Sequence, residues 1–387
     1  MKKNYYLCTL MLAGGMFLFS GCASTATNSK GTKDTKEQIE ITDAGKSEMI
    51  QESDYGYAYE TDCQSNRPSY STTVYTKEGR YEIEGMDGIQ GSQSGIYLQY
   101  FDYATGETVY VCGKSNCEHS SDSCNAYFKE ENFPMGILWN YEGDLYTPMI
   151  EEEYIWICKI SPDGAVREKI CKVMRQYVEE KEDGDEISTR YYMPEMQIHR
   201  GYVYFTDYYM GCEEATLYRI KLETNAQVES LYEVSGKGTS IYRIKPYGKY
   251  VLFQMGKTKE DSNEIIDSIY AYHTESAEVS CVCQNSYKDF MVLEQNLYYI
   301  DSAYNIKRKN LTDGKEEIFY KAEKNSDKTI SVRLFDYDKK IVYETKTVSE
   351  EKSTEQSVLD TTGKVCESRK EANDDILLAP YTMLADK

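Results

Sequence analysis

The sequence lacks the short motifs by which many enzymes are recognised. It contains no Gly-x-Ser-x-Gly elbow, no Walker loop, no His-Glu-x-x-His motif and no dinucleotide-binding fingerprint. Histidine is scarce, with three in 387 residues. Two of them, His199 before the turn at Gly201 and His273 at the end of a Tyr-rich segment, lack the sequence partner that a general base requires. We therefore expect a chain that is not an enzyme.

Positive charge is also in short supply. Lys and Arg number 44 against 65 Asp and Glu, and the formal net charge is -21. Such an anionic protein repels phosphate backbones, so nucleic acid is not an expected partner. The acidic runs at residues 151–153 and 179–183 lack the alternating Asp/Asn and Gly pattern of a dedicated calcium loop, and we interpret them as solvated loop charge.

No hydrophobic run is long enough to span a bilayer. The longest, from Tyr5 to Phe19, has about 15 residues where roughly 20 are needed, which argues against the alternative of a permanent transmembrane helix. Lysines precede this run and Ser20-Gly21-Cys22 follows it, in the order of an export signal and its cleavage site. The ending resembles the lipobox of bacterial lipoproteins, which implies cleavage after residue 21 and diacylation of Cys22. Residues 1–21 are thus predicted to be a lipoprotein signal peptide.

The segment after the predicted cleavage site is polar. Residues 22–62 are rich in Ser, Thr, Lys, Asp and Glu and cannot bury enough apolar surface to offset their ordering entropy, so they are predicted to be a disordered tether. Two acyl chains make a durable anchor. We therefore expect the remaining domain, residues 63–387, to be held at the membrane by lipid on its extracytoplasmic face.

Tyrosine is unusually abundant, with 38 copies against 10 Phe and 2 Trp, and it suits half-buried positions in antiparallel sheets. A turn residue followed by alternating Tyr and aliphatic residues recurs at residues 143–146, 201–205, 248–253, 296–300 and 340–343. A second strand-like phrase that ends in a hairpin turn recurs at residues 96–102, 154–157, 217–220, 269–272, 306–311 and 358–360. The pattern predicts an all-β domain of repeated antiparallel units.

The period of this repeat is roughly 40 to 60 residues, which is typical of propeller blades. We count about six units, the first near Tyr81 to Cys112 and the last ending near Cys366. The fold class predicted is therefore a β-propeller, and the alternative is a two-sheet β-sandwich. A strand near Tyr70 to Tyr75 is a candidate for closing the ring by pairing with the last blade.

One run carries a resemblance to a known group of proteins. It consists of Phe101 to Gly106, then Val111-Cys112 and Cys117-Glu118-His119, then Cys124 to Tyr127. This run resembles a signature of uncharacterised Tyr-rich lipoproteins of Gram-positive gut anaerobes, and the remaining chain has a weaker likeness to low-density-lipoprotein-receptor-type propellers. The resemblance implies a propeller-like, lipid-anchored domain and implies no activity.

Twelve cysteines are present. Cys8 would leave with the signal peptide and Cys22 would be acylated, so an even number remains, as expected for disulfides outside the cytoplasm. Four donors, Cys112, Cys117, His119 and Cys124, fall in one short polar segment and form a complete tetrahedral set for a structural zinc ion. The alternatives are disulfides, among these thiols or to Cys63, and free thiols. Zinc is the one cofactor that the sequence suggests.

Other cysteines fall in predicted strands. Cys158 and Cys171 lie on the two arms of the hairpin that turns at Asp163-Gly164, where a bridge would depend on the strand register. Cys281 and Cys283 are two residues apart, which predicts one strand face. Cys212 and Cys366 have no partner that the sequence assigns.

These observations support two functional hypotheses. The first is a non-enzymatic surface propeller that binds a peptide, glycan or partner protein on the loop-rich face around its central channel. The second is a propeller hydrolase or lyase that acts on polysaccharide with two carboxylates or a Tyr-His pair. A pair of catalytic carboxylates is defined by distance in three dimensions and leaves no sequence motif.

Overall fold

The alternating Tyr and aliphatic residues fold as antiparallel strands. The computed structural model describes residues 72–86, 95–129, 132, 137–183, 186–192, 194–207, 213–259, 265–284, 288–322, 329–337, 340–348 and 352–371. Within these ranges the regular elements are 27 β-strands, and no α-helix occurs. None of the described residues forms a helix long and apolar enough to cross a membrane. The predicted signal peptide and tether lie outside the described residues.

The strands form six sheets of four or five strands and one separate hairpin. The first sheet contains β1 (Thr73–Tyr75), β2 (Gly79–Met86), β3 (Gly95–Asp102), β4 (Thr108–Tyr110) and β5 (Tyr127–Phe128). The second contains β6 (Trp139–Tyr141), β7 (Asp144–Glu151), β8 (Tyr154–Ile160) and β9 (Arg167–Arg175). The hairpin contains β10 (Tyr177–Asp183) and β11 (Glu186–Tyr192).

The remaining sheets have four strands each. The third contains β12 (Met196–His199), β13 (Tyr202–Thr206), β14 (Glu214–Lys221) and β15 (Val228–Ser235). The fourth contains β16 (Ser240–Tyr247), β17 (Tyr250–Thr258), β18 (Ile265–His273) and β19 (Val279–Gln284). The fifth contains β20 (Phe290–Leu293), β21 (Asn296–Ile300), β22 (Ile306–Asn310) and β23 (Glu316–Tyr320). The sixth contains β24 (Thr329–Tyr337), β25 (Lys340–Val348), β26 (Lys352–Leu359) and β27 (Val365–Glu371).

Each sheet is an antiparallel meander of four consecutive strands, and in the first sheet β5 also pairs with β3. The first strands of successive sheets lie beside one another, β1 with β6, β12 with β16, β16 with β20 and β20 with β24. They are therefore the inner strands of a radial arrangement, and the chain is a six-bladed β-propeller. The predicted fold class is confirmed and the sandwich alternative is wrong.

The core lies between blades. Five clusters of buried side chains each combine residues of two successive blades; Ile157 of the second blade, for example, packs in one cluster with Val203 and Phe205 of the third. Burying one such aliphatic side chain stabilises the fold by about 1.5–3 kcal/mol. A blade has two sheet faces to cover, and a radial stack covers both with the neighbouring blades.

The inner strands were missed by the sequence pattern. All four residues of β12 are buried, and so are three of the four in β20, so neither strand shows the alternation that marks a half-buried strand.

The strand predicted to close the ring pairs elsewhere. Thr73–Tyr75 pairs with β2 of its own blade, where Thr73 faces Glu82, and residues 329–371 supply all four strands of the last blade. The Thr76 amide donates to the Gly79 carbonyl at 2.8 Å and closes this local hairpin, so the prediction that it pairs with the last blade is wrong.

Candidate metal centre

The predicted ligand segment leaves the outer edge of the first blade and returns to it. Both β4 and β5 pair with β3, on either side of Leu98. The Leu98 amide donates to the Ala126 carbonyl at 2.9 Å, and the Leu98 carbonyl accepts the Val111 amide at 3.0 Å. Residues 111–126, named here the cysteine loop, therefore start and end on the same residue of β3.

The structure brings all four predicted donors together. The Sγ atoms of Cys112, Cys117 and Cys124 and a ring nitrogen of His119 lie within 4.8 Å of one another. The Nδ1 atom of His119 is 3.2 Å from the Cys124 sulfur. Cys124 is buried and the other three are half-buried. This Cys₃His cluster could hold a metal ion.

Two left-handed backbone positions shape the loop. Asn116 has φ 58° and His119 has φ 52°, a region that side chains other than Asn, Asp and Gly seldom adopt. These turns reverse the chain between the first and last cysteine and direct the donors to one point. The eight cysteines in the described residues are free thiols in this structure, and Cys63, a predicted disulfide partner, lies outside them.

The sulfur atoms have unequal surroundings. Burial raises the pKa of the Cys112 thiol, but the amides of Lys114 and Asn125 donate to its sulfur and the net pKa is lowered. Burial raises the pKa of Cys124 to about 12, and the neighbouring Cys112 adds to the effect. Thiolates this close repel each other, so a cation is what would allow several to be ionised together.

Aromatic rings cover the cluster on the side of the first blade. The Tyr110 ring lies 4.7 Å from the His119 ring, centroid to centroid, at 38°. Tyr97 packs against both Tyr110 and Tyr127 at centroid distances of 5.1 and 5.4 Å. The Lys114 ammonium donates to the Ser123 carbonyl across the loop. Tyr97 and Tyr127 also lie in one buried cluster with Cys124, and Tyr110, Cys112 and Cys117 pack against it.

The other two histidines have structural contacts. The His199 side chain is fully buried, and its Nε2 atom lies 2.8 Å from the carbonyl of Gly248 in the next blade. The Nδ1 atom of His273 accepts the amides of Glu275 at 3.3 Å and Ser276 at 3.0 Å and so stabilises the turn that follows β18.

The strand register decides whether Cys158 and Cys171 can form a bridge. Bulges between β8 and β9 place Cys171 opposite Ile157 and Cys158 opposite Lys169. Cys171 therefore packs toward the third blade and Cys158 toward the first, so a bridge between them is wrong.

The same kind of bulge separates the second cysteine pair. Between β18 and β19, Cys281 lies opposite Tyr270 and Cys283 opposite Ile269. Because consecutive residues of β18 point to opposite faces, the prediction of one shared face is wrong. Cys366 is exposed, and Cys212 lies outside the described residues.

The acidic runs have different structures. Glu151 ends β7, and Glu152 and Glu153 form the turn to β8. Two of the three make exposed ion pairs, Glu151 with Lys169 and Glu153 with Arg175. Residues 179–183 belong to β10, so their interpretation as a loop is wrong. A regular ladder of seven residue pairs with β11 overrides the low strand propensity of Glu and Asp.

A buried charge group on the inner strands was not anticipated. The Lys245 ammonium lies 2.8 Å from the Asp289 Oδ1 atom and also donates to the Phe290 carbonyl. The Asp289 Oδ2 atom accepts the Leu334 amide at 2.8 Å, so this carboxylate joins the fourth, fifth and sixth blades. Glu195 of the third blade accepts the Ile244 amide at 2.8 Å. A lysine and an aspartate 44 residues apart give no sequence signal of such pairing.

Comparison with known proteins identifies no family. No family model matches the sequence, and no curated protein matches it. Similar solved structures include an oligogalacturonate lyase in complex with manganese, at 11% identity over 76% of this chain and 77% of that chain, with a TM-score of 0.49. BamB from Moraxella catarrhalis matches at 11% identity over 78% and 88%, with a TM-score of 0.38. A nidogen/laminin complex matches at 13% identity over 58% and 75%, with a TM-score of 0.35. At these values no residue role or activity transfers to this chain.

Proposed function

We propose that this chain is a lipid-anchored extracytoplasmic propeller that binds a peptide, glycan or protein ligand, and that the Cys₃His cluster holds a structural zinc ion. The observation that carries the proposal is that the protein supplies all four ligands of a tetrahedral metal site. Three sulfurs and one ring nitrogen complete a tetrahedron, whereas catalytic zinc sites keep one position open for water or substrate. The cluster itself therefore supports a structural role rather than a reaction at the metal.

The choice of zinc follows from donor chemistry and spacing. Thiolate-rich sets with one imidazole favour zinc, whose sulfur ligands stand about 2.3 Å from the metal and hence about 3.8 Å from each other. The four donor atoms, all within 4.8 Å of one another, need only small shifts to reach that geometry. The 3.2 Å contact between His119 and Cys124 also turns the imidazole toward the sulfurs, as ligation requires and a disulfide does not.

The alternative of a polysaccharide hydrolase or lyase has less support. A hydrolase of this kind needs carboxylates that are available to the substrate. The buried carboxylates described on the inner strands already have partners, Asp289 with Lys245 and the Leu334 amide, and Glu195 with the Arg243 and Ile244 amides. These contacts support a structural role for both groups.

The first test separates binding from catalysis. The full-length protein, purified in detergent, is applied to arrays of polysaccharides and peptides, and every polysaccharide that binds is then incubated with it at high enzyme concentration. We expect retention without release of reducing ends or unsaturated products, because the buried carboxylates Asp289 and Glu195 are already held by hydrogen bonds within the fold. Time-dependent release of such products that scales with protein concentration would replace the binding proposal with the enzymatic one.

The second test concerns the anchor. Cys22→Ser should abolish incorporation of labelled palmitate, because the acylated thiol is lost, and should leave an uncleaved or released protein, which phase partition together with the mass of the chain distinguishes. Cys8→Ser is the matched control, since that thiol lies in the predicted signal peptide and its loss should change none of these readouts. A lipidated Cys22→Ser protein would contradict the proposed anchor.

A further inference from the structure

A turn of the second blade enters the cysteine loop. Residues 161–166, named here the blade-2 turn, connect β8 to β9. The Gly164 carbonyl accepts the Gly113 amide at 3.0 Å and the Asn125 side-chain amide at 2.7 Å. The same Asn125 group donates to the Ala165 carbonyl at 3.1 Å. Gly113 and Asn125 each follow a ligand cysteine directly, so the blade-2 turn is bonded to both ends of the donor set.

Backbone approach at this contact leaves no room for side chains. A Cβ atom on Gly164 would lie 2.3 Å from the Val111 carbonyl carbon and 2.4 Å from the Cys112 nitrogen, and the residue has φ +68°. A Cβ atom on Gly113 would lie 2.9 Å from the Ala165 Cα. The two backbones are therefore in van der Waals contact, and a shift of either one displaces the other.

The Arg167 side chain of the second blade donates a hydrogen bond to Cys124, the last ligand in the chain. The Arg167 Nη1 atom donates to the Cys124 carbonyl at 3.2 Å and to the Tyr127 carbonyl at 2.5 Å. Its guanidinium lies 4.2 Å from the centroid of the Phe128 ring. Arg167 is thus held between the cysteine loop and β5, and its position depends on where Cys124 lies.

We infer that Asn125, Gly164 and Arg167 are positioning residues of the metal centre, and that metal binding and the junction of blades one and two are energetically coupled. The inference rests on the proposed metal at this site. The cysteine loop has little regular structure, so its order depends on the metal and on the second blade together. Such coupling is reciprocal: the free energy by which the ordered blade-2 turn strengthens metal binding equals the free energy by which bound metal stabilises the turn.

The experiment measures zinc release from the full-length protein to the chromogenic chelator 4-(2-pyridylazo)resorcinol. Asn125→Ala and Gly164→Ala should release zinc about tenfold faster or more, because each weakens the support of the ligand cysteines without removing a donor. Gly106→Ala is the matched control, since Gly106 occupies the corresponding turn of the first blade with φ +71° and an added Cβ meets nothing within 4 Å. Its release rate should match the wild type.

The reverse arm follows amide hydrogen exchange of the blade-2 turn in wild-type protein. Removal of zinc by the chelator should accelerate exchange at Gly164 and Val166, whose amides are bonded within the turn to Ser161. Wild-type release rates in Asn125→Ala, together with unchanged exchange after chelation, would overturn the coupling and leave the zinc site standing. Wild-type protein that contains no zinc would overturn the site itself. Should Gly164→Ala fail to fold, the zinc release rate of Asn125→Ala alone tests the coupling, because this substitution removes the side-chain amide and adds no atoms.

Discussion

Cys124→Ser is expected to leave the full-length protein without zinc and to lower its stability. The substitution removes one of four donors and replaces it with a hydroxyl, which is a poor zinc ligand. A metal that binds only the folded chain stabilises it by about 4 kcal/mol when its free concentration is a thousand times its Kd. Metal analysis should therefore fall from about one zinc per chain to none, with a lower midpoint of guanidinium unfolding.

The control for this substitution is Cys366→Ser. The Cys366 thiol is exposed and lies outside the donor set, so zinc content and unfolding midpoint should stay at wild-type values. Two results would contradict the zinc assignment: no metal in wild-type protein purified under reducing conditions, or a mass lighter by two hydrogens for each bridge formed at these cysteines. The second result would favour the disulfide alternative.

Asp289→Ala is expected to be the most destabilising substitution on the inner strands. It leaves the Lys245 ammonium, whose side chain is 5% exposed, without its carboxylate and removes the acceptor of the Leu334 amide. Breaking a buried ion pair from one side costs about 3–5 kcal/mol, because the remaining charge stays buried and uncompensated. The free energy of unfolding from urea titration measures the loss.

A paired substitution identifies the cause. Lys245→Met combined with Asp289→Ala removes the buried charge as well as its partner, so we expect the double variant to be more stable than Asp289→Ala alone. Arg175→Ala is the exposed control, because both side chains of its pair with Glu153 are largely solvated, at 69% and 73%. Equal losses of unfolding free energy for Asp289→Ala and Arg175→Ala would show that burial of an ion pair does not determine the cost of breaking it.

The outer part of each blade could be predicted from sequence for a simple physical reason. Along a strand such as β8, the half-buried Tyr154 and Trp156 alternate with the buried Ile155 and Ile157, so the pattern is visible in the sequence. The turns that follow carry residues suited to left-handed backbone, and Gly164 and Asn225 adopt φ 68° and 62°. Inner strands lack both signals: β12 is buried throughout.

In the candidate site, contacts that are local in the chain could be predicted, and contacts between distant segments could not. Cys112 to Cys124 are close in the chain, so their convergence could be predicted from spacing and donor type alone. The contacts of Asn125 with the blade-2 turn join residues 39 and 40 positions apart, and nothing in either segment marks the other as its partner. Strand faces were mispredicted at Cys158 and Cys283 because a bulge changes the register without leaving a sequence mark.

The way in which the cysteine loop joins β3 has a consequence for how this blade can change over evolution or by engineering. The loop begins at Val111 and ends at Ala126, and both are bonded to Leu98, so its two ends are held at a fixed separation by the sheet itself. Residues added between the donors, with the donors and the contacts of Gly113 and Asn125 kept, should leave the pairings of Tyr110 with Gln99 and of Tyr127 with Tyr97 in register. The outer edge of the first blade is thus an expected point for lengthening the chain, because the sheet and not the length of the loop sets the distance between its two ends.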